Sequence, residues 1–431
     1  MRYSSAILGV FAFCASEVVA FPAAAIEYAA RAETDNFARG DIESALTKLK
    51  ANRRAPGFDA AAQYVSTHGQ YEFVAPNSPN TYTGDQRGPC PGLNAMANHG
   101  YIPHNGVATI QQFIDVFGMG KDLGAFLSIY GSLADGDLTK WSIGGPTPNV
   151  PNVLGLLGTP TGLSGSHNKY ETDASPTRPD LYQYNCNTYK VIISQFQEMF
   201  DTQPDAATAN YDLSVLTPFR SKRFDQSINN NPFFFNAPFA GIAVQPAGYA
   251  FIYRFMANKS AEHPEGLLNQ EVLKSFFAIS GASGHFQWTE GHERIPENWY
   301  KRAVGDEYTL PFFVADVVAA ALAFPKFVSV GGNTGTVNSF AGLDLANLTG
   351  GVFNSATLLQ GNNLACFIFQ GVIQFLPDAF QGVVTGILGT ALDGLVAQVD
   401  GILAPLNCPI LNEVNMDQLV GYPGAKVPNT V

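Results

Sequence analysis

The sequence predicts a mainly α chain folded as one domain with long ordered loops. Three observations carry that prediction. Apolar residues recur at helical spacing through much of the chain after Cys90, alternating strand patterns are scarce, and neither an internal repeat nor a hinge-like linker divides the 431 residues. Hydrophobic residues make up 46% and charged residues 14%, where an average globular protein is about a quarter charged. Such a chain buries a large core and is not disordered. A net charge of −12 and no strong basic stripe exclude a general nucleic-acid binder. The 32 Phe against 3 Trp fit either a core or the lining of an apolar cavity.

The elements follow in order. Residues 1–20 read as a secretory signal: Arg2, an apolar run from Ala6 to Cys14, then Val18 and Ala20 as a cleavage pair, with Glu17 blurring the small-residue pattern. The run is too short to span a membrane. Residues 21–54 form a partly mobile leader, in which Arg39 to Arg54 is a short helix or a processed segment. Ala55 to Gly84, rich in Pro, Asn, Tyr and Gly, reads as loop.

Helical spacing then predicts helices around Ile110–Phe117, Leu123–Tyr130, Tyr182–Phe200, Leu267–Ile279 and Phe312–Phe324. A Gly/Pro/Asn loop covers 143–166, and the aromatic stretch Phe233 to Phe255 is broken by Pro238 and Pro246. Phe380 to Leu406 is apolar but carries Asp393 and Asp400, which argues for a packed helix rather than a membrane span. The main domain is 55–410, and 411–431 is a tail.

With a secretory signal, the sequons at Asn258 and Asn347 become glycosylation sites. Cys14 leaves with the signal. Cys90, Cys186, Cys366 and Cys408 remain and allow two disulfides. Their contexts differ. Cys366 and Cys408 flank a late apolar segment that one disulfide would staple, and Cys186 in an Asn-rich stretch reads as a free thiol.

The most informative segment is Arg87-Gly-Pro-Cys90-Pro-Gly-Leu-Asn-Ala-Met-Ala-Asn-His-Gly-Tyr-Ile-Pro-His-Asn-Gly106. Pro91 suits the first position of a helix, where its missing N–H would have no partner anyway. The Cys90 sulfur then meets free backbone N–H groups and the positive end of the helix dipole, both of which favour a thiolate. Such a group binds a metal, acts as a nucleophile, or is an inert cysteine in a tight turn.

This segment resembles the signature of the fungal haem-thiolate peroxidases, which include the chloroperoxidases and the unspecific peroxygenases. The resemblance implies a chloroperoxidase-like helical fold around a buried haem b, with Cys90 as the axial iron ligand. An anionic sulfur ligand favours O–O cleavage. A second segment, Glu171-Thr-Asp-Ala-Ser175-Pro-Thr-Arg-Pro-Asp180, is similar to the family's metal loop. It implies Mg held by the Glu171 carboxylate, the Thr172 carbonyl and the Ser175 hydroxyl beside a haem propionate. Thr172 departs from the Gly or His usual there. Arg294-Ile-Pro-Glu-Asn-Trp-Tyr-Lys-Arg302 resembles a late motif of longer members, and Cys366 and Cys408 fall where those members carry a disulfide.

The family also has a distal Glu on a downstream helix to move the peroxide proton. Pro232 to Phe255, the matching stretch here, contains no acid. Gln245 and Tyr249 are its distal candidates, and both are weak proton shuttles. Glu262 and His263 read as a surface loop. Asp173 and His167 lie near the metal loop, with His167 read as structural.

Serine-elbow, dinucleotide, zinc-protease and c-type haem motifs are absent. The expected function is therefore a secreted enzyme using hydrogen peroxide to oxidise or oxygenate small apolar or aromatic substrates. Phe233, Phe234, Phe235, Phe239 and Phe251 are candidates for the cavity lining, at least half of them expected in the core. Rival readings are a tailoring oxidase of secondary metabolism, a haloperoxidase, and a haem-binding protein without peroxide turnover.

Overall fold

The computed structural model describes residues 56–151, 160–185, 187–360, 363–374, 408–412 and 414–426. The expected signal, the leader, Cys186 and the stretch Phe380 to Leu406 lie outside the described residues. The described chain is dominated by helices, and its strands are only two or three residues long.

The segment read as loop before Gly84 contains one turn of helix, α1 (Ala60–Gln63), capped by the Asp59 carboxylate. Next come α2 (Pro91–Asn98), β1 (Val107–Thr109), α3 (Ile110–Ile114), α4 (Lys121–Asp135) and β2 (Lys140–Ser142), with β1 and β2 antiparallel. A capping box between Thr109 and Gln112 starts α3.

The predicted helix from Tyr182 to Phe200 is corrected: only α5 (Ile193–Phe200) is α-helical, after a single 3₁₀ turn at Leu181–Gln183. Local side-chain chemistry defeats the periodic pattern. Asn185 takes φ +53°, and the Asn187 side chain accepts from Lys190 N at 3.2 Å. Both favour turns over helix.

Helix α6 (Leu213–Asn230) is the longest among the described residues, and the apolar pattern did not reveal it. Its buried face includes Arg220 and Arg223, so its inward stripe does not look apolar in the sequence. Strand β3 (Phe235–Asn236) leads through a π-helical turn, Ala240–Val244, into α7 (Gln245–Met256), with Pro246 in the first turn. Helix α8 (Gln270–Phe276), capped by Asn269, is shorter than predicted. The β4 (Ile279–Ser280) and β5 (Gln287–Trp288) hairpin, α9 (Leu310–Ala323), β6 (Gly331–Gly332), β7 (Ala341–Gly342), α10 (Leu345–Leu348) and α11 (Asn363–Gln374) complete the order. Strands β3, β6 and β7 form a small antiparallel sheet.

Two large apolar clusters fill the interior, and α7 joins them. Ala247 packs with α4, α9 and the C-terminal region, while Tyr249, Ile252, Tyr253 and Met256 pack with α5, α6 and α8. Polar clamps lock α7 in place. Arg254 grips Asp316 of α9 through two 2.8 Å hydrogen bonds, and the Tyr308 hydroxyl donates to the same carboxylate at 2.7 Å. At the C-terminal end, Trp299 Nε1 donates to Met256 O at 2.8 Å. Lys259 Nζ donates to Arg254 O at 2.9 Å and Ala257 O at 2.7 Å. These bonds satisfy carbonyls that a helix end otherwise leaves open.

Cys366 and Cys408 form a disulfide across 42 residues, with Cα atoms 5.4 Å apart. Closing a loop of that length stabilises the fold by about 4 kcal/mol in the chain-entropy model. Cys366→Ala with Cys408→Ala should therefore lower the thermal midpoint markedly. An unchanged midpoint in calorimetry would show that the staple contributes nothing.

Candidate active site

Helix α2 positions Cys90. The cysteine is its extended N-cap residue (φ −87°, ψ 105°), and Pro91 occupies the first helical position. The approach to the turn is tight: a Cβ on Gly88 would lie 1.8 Å from Ile143 O, so only glycine fits. Asn94 closes the turn from inside the helix. Its Oδ1 accepts from Gly88 N and its Nδ2 donates to Gly88 O, both at 2.9 Å.

A second brace comes from the residues just before the late motif. Asn94 Nδ2 donates to Glu293 Oε1 at 3.0 Å, and Asn98 Nδ2 donates to Gly291 O and Glu293 O at 2.7 and 2.9 Å. Asn98 Oδ1 accepts from Arg87 Nε at 2.8 Å. The late segment thus buttresses the back of the cysteine helix. Glu293 escaped the sequence reading; the available signal was an acid beside the motif in a chain short of charge.

Burial pushes the Cys90 thiol above its usual pKa, while the N–H groups of Leu93 and Gly92 and the Arg178 guanidinium pull it down. A coordinated metal ion would tip this balance to the thiolate.

Cys90 opens onto a cavity of about 1380 Å³, mouth included. Its walls include Leu93 and Met96 of α2, Leu127 of α4, and Phe251, Ile252 and Phe255 of α7. Of the five Phe proposed for the lining, Phe251 is there. Phe234, Phe235 and Phe239 are core residues, and Phe233 packs at a tilt against Tyr182. Phe113, Phe255, Phe277, Trp141 and Tyr170 supply the other ring surfaces.

Glu171, Thr172 and Ser175 reach the cavity from one loop. The backbone between them is strained, because Ala174 takes φ +58°. Asp180 accepts from Ala174 N at 2.9 Å, and Tyr249 donates its hydroxyl to Ala174 O at 2.8 Å. Tyr249 therefore serves this loop and does not line the cavity.

Gln245 does line it, but both ends of its amide are held. Arg220 Nε donates to Oε1 at 2.6 Å, and Nε2 donates to Asp173 O at 3.0 Å. Arg220 itself stacks 3.8 Å over the Phe327 ring. Gly248, one turn further along α7, faces the cavity with nothing within 4 Å of an added Cβ. Glu262 and His263 are exposed, in keeping with a surface loop.

His167 is buried beside the metal loop, with Nδ1 2.6 Å from Glu171 Oε2 and Nε2 3.7 Å from Asp173 Oδ1. Burial alone would push it down, but the Glu171 and Asp173 carboxylates prevail and hold it up at about 9.

Several buried polar atoms around the cavity have no hydrogen-bond partner: Glu171 Oε1, Thr172 Oγ1 and both Nη atoms of Arg178. Native interiors rarely leave such groups unpaired. A free carboxylate oxygen beside a hydroxyl residue suits a hard cation, and guanidinium Nη groups without a hydrogen bond suit an anion. A cysteine at a helix N-terminus inside an apolar cavity suits a thiolate-ligated macrocycle. The residues present therefore fit a haem with carboxylate side chains and an adjoining Mg ion. Among the described residues, no three His, Cys, Asp or Glu side chains cluster as a separate metal site.

Fold and site together define a helix-dominated protein with a cysteine-headed apolar cavity. A family profile described as "Peroxidase, family 2" matches residues 71–304. The chain belongs to this family, the fungal haem-thiolate peroxidases, and is an oxidoreductase. It is 41% identical over 430 residues to the dothistromin biosynthesis peroxidase dotB of Dothistroma septosporum, covering 98% of each chain. It is 36% identical over 446 residues to the aromatic peroxidase fscJ of Fusarium equiseti, again covering 98% of each. An aromatic peroxygenase of Cyclocybe aegerita is 30% identical over 278 residues, which is 62% of this chain and 69% of that one.

Proposed function

We propose that the protein is a secreted haem-thiolate peroxidase that uses hydrogen peroxide to oxidise small apolar or aromatic substrates. The observation that carries the reading is the opening of Cys90, at the head of α2, into the large apolar cavity. Cys90 would hold the iron of haem b, and Glu171, the Thr172 carbonyl and Ser175 would hold Mg at its edge. When bound, the haem supplies peroxide activation, and an anionic sulfur ligand favours O–O cleavage. The N–H groups around Cys90 moderate the charge on that sulfur. The apolar walls exclude water and receive a ring-bearing substrate.

The chain brings little acid–base chemistry to this cavity. Among its lining residues Glu171 is the sole carboxylate, and it belongs to the metal edge in this reading. Gln245, fixed between Arg220 and Asp173 O, offers a dipole to orient peroxide but no proton of its own at neutral pH. A tailoring role in secondary metabolism is favoured over general oxidation by the full-length similarity to a peroxidase named for dothistromin biosynthesis. The test is a carbon monoxide difference spectrum of the reduced protein, followed by peroxide with a polycyclic aromatic substrate. A red-shifted thiolate-type band with product formation supports the reading. A band without turnover indicates a haem-binding protein, and no band removes the thiolate assignment.

Secretion would expose the sequons to glycosylation. Asn347 is exposed on α10. Asn258 is half-buried, its amide accepting from Tyr300 N at 2.9 Å and donating to Asn298 O at 3.3 Å. The glycosidase-sensitive mobility shift of the secreted protein should therefore vanish in Asn347→Gln and persist in Asn258→Gln. The opposite pattern on a gel would reverse the assignment.

A further inference from the structure

We propose that Arg178 clamps a carboxylate of the haem and ties it to the cysteine turn. The proposal rests on the haem-thiolate reading and gives Arg178, so far only a charge that lowers the Cys90 pKa, a part in binding the cofactor. Arg178 lines the cavity yet is only 2% exposed, and neither Nη1 nor Nη2 has a hydrogen-bond partner. A buried guanidinium whose Nη groups make no hydrogen bond is costly unless something fills them, and the 3.7 Å ion pair of Nη2 with Glu293 compensates only part of that cost.

Its remaining contacts aim it rather than satisfy it. Nε donates to Pro89 O at 3.0 Å, one residue before Cys90. Nη2 lies 3.7 Å from Glu293 Oε1, too far for a hydrogen bond, and that oxygen already accepts from Asn94. Arg178 is therefore anchored through Nε to the cysteine turn, with Nη2 in ion-pair range of the Glu293 that braces α2. The two Nη groups form a planar fork, the geometry that matches a carboxylate. Because Arg178 follows Ser175 by three residues in the loop that carries the expected Mg ligands, one loop would meet the cofactor's acidic edge with both a cation and a guanidinium.

The same chemistry would also recognise a carboxylate on the substrate, so the experiment has two arms. The holoprotein, Arg178→Gln and Arg178→Lys are compared. Lys keeps the charge and loses the fork, and it carries the test should the Gln variant fail to fold. Resonance Raman spectra read the propionate bending bands, and transfer to apomyoglobin reads the rate of haem loss. Both variants should shift the propionate bands and lose haem roughly ten- to a hundredfold faster, as expected for a lost charge-assisted hydrogen bond. Wild-type bands and wild-type haem loss in both variants overturn the proposal. In the second arm, binding of benzoate and of toluene is titrated by difference spectrum. Selective loss of benzoate binding with unchanged propionate bands also overturns it and assigns the fork to the substrate. Absence of the thiolate-type carbonyl band in the wild type is a separate result: it rejects the haem-thiolate reading on which the clamp depends.

Discussion

Cys90→Ala should abolish the thiolate-type ferrous–carbonyl band and, with it, peroxide-dependent oxidation of aromatic substrates. Cys90 is the sole free cysteine among the described residues, and it is the one that opens onto the cavity. The alanine variant keeps Pro91, the Asn94–Gly88 bonds and the Glu293 brace, so α2 should still form. The loss would then belong to the missing ligand and not to unfolding. Circular dichroism checks the fold and the carbonyl spectrum checks the ligand. Cys186→Ala should retain the band. A variant spectrum in which Cys90→Ala keeps the band and Cys186→Ala loses it would overturn the ligand choice.

Gly248→Glu should raise the rate of peroxide-dependent turnover by about 10²- to 10⁴-fold, the usual worth of a positioned acid–base group. Gly248 lies on a rigid helix and faces the cavity, where a new Cβ meets nothing within 4 Å. Replacing glycine inside a helix also gains roughly 0.5–1 kcal/mol of backbone stability. The apolar lining would raise the new carboxyl's pKa toward neutrality, where it can both give and take a proton. Gly248→Gln is the control, because it fills the same space without a titratable group. Equal rates for Gly248→Glu, Gly248→Gln and wild type would show that proton transfer does not limit turnover. Stopped-flow kinetics with peroxide in excess distinguishes the outcomes.

The two positions differ in how far the sequence exposed them. Cys90 is legible because its chemistry is local: a proline-flanked cysteine before a helix acquires the dipole and the free N–H groups from its immediate neighbours. The apolar helices α4 and α9 are legible for the same reason, since their burial repeats with the helical period. Gly248 is not legible. The stretch that should carry a distal acid suggested Gln245 and Tyr249 as the polar candidates. Helical rotation turns Tyr249 toward Ala174 O and leaves Gly248 facing the cavity. Helix α6 stays hidden because its inward face carries Arg220 and Arg223, buried against partners distant in sequence.

The sequence by itself determined the mainly helical character and the cysteine turn, because periodicity and proline placement act over neighbouring residues. The tertiary structure decided what those segments do together. It showed which phenylalanines line the cavity and which fill the core, and it placed Glu293 behind Asn94. It also left the Arg178 fork without a hydrogen bond. Each of these depends on contacts between segments about a hundred or more residues apart, where burial and hydrogen-bond satisfaction are set by packing and no local pattern records them.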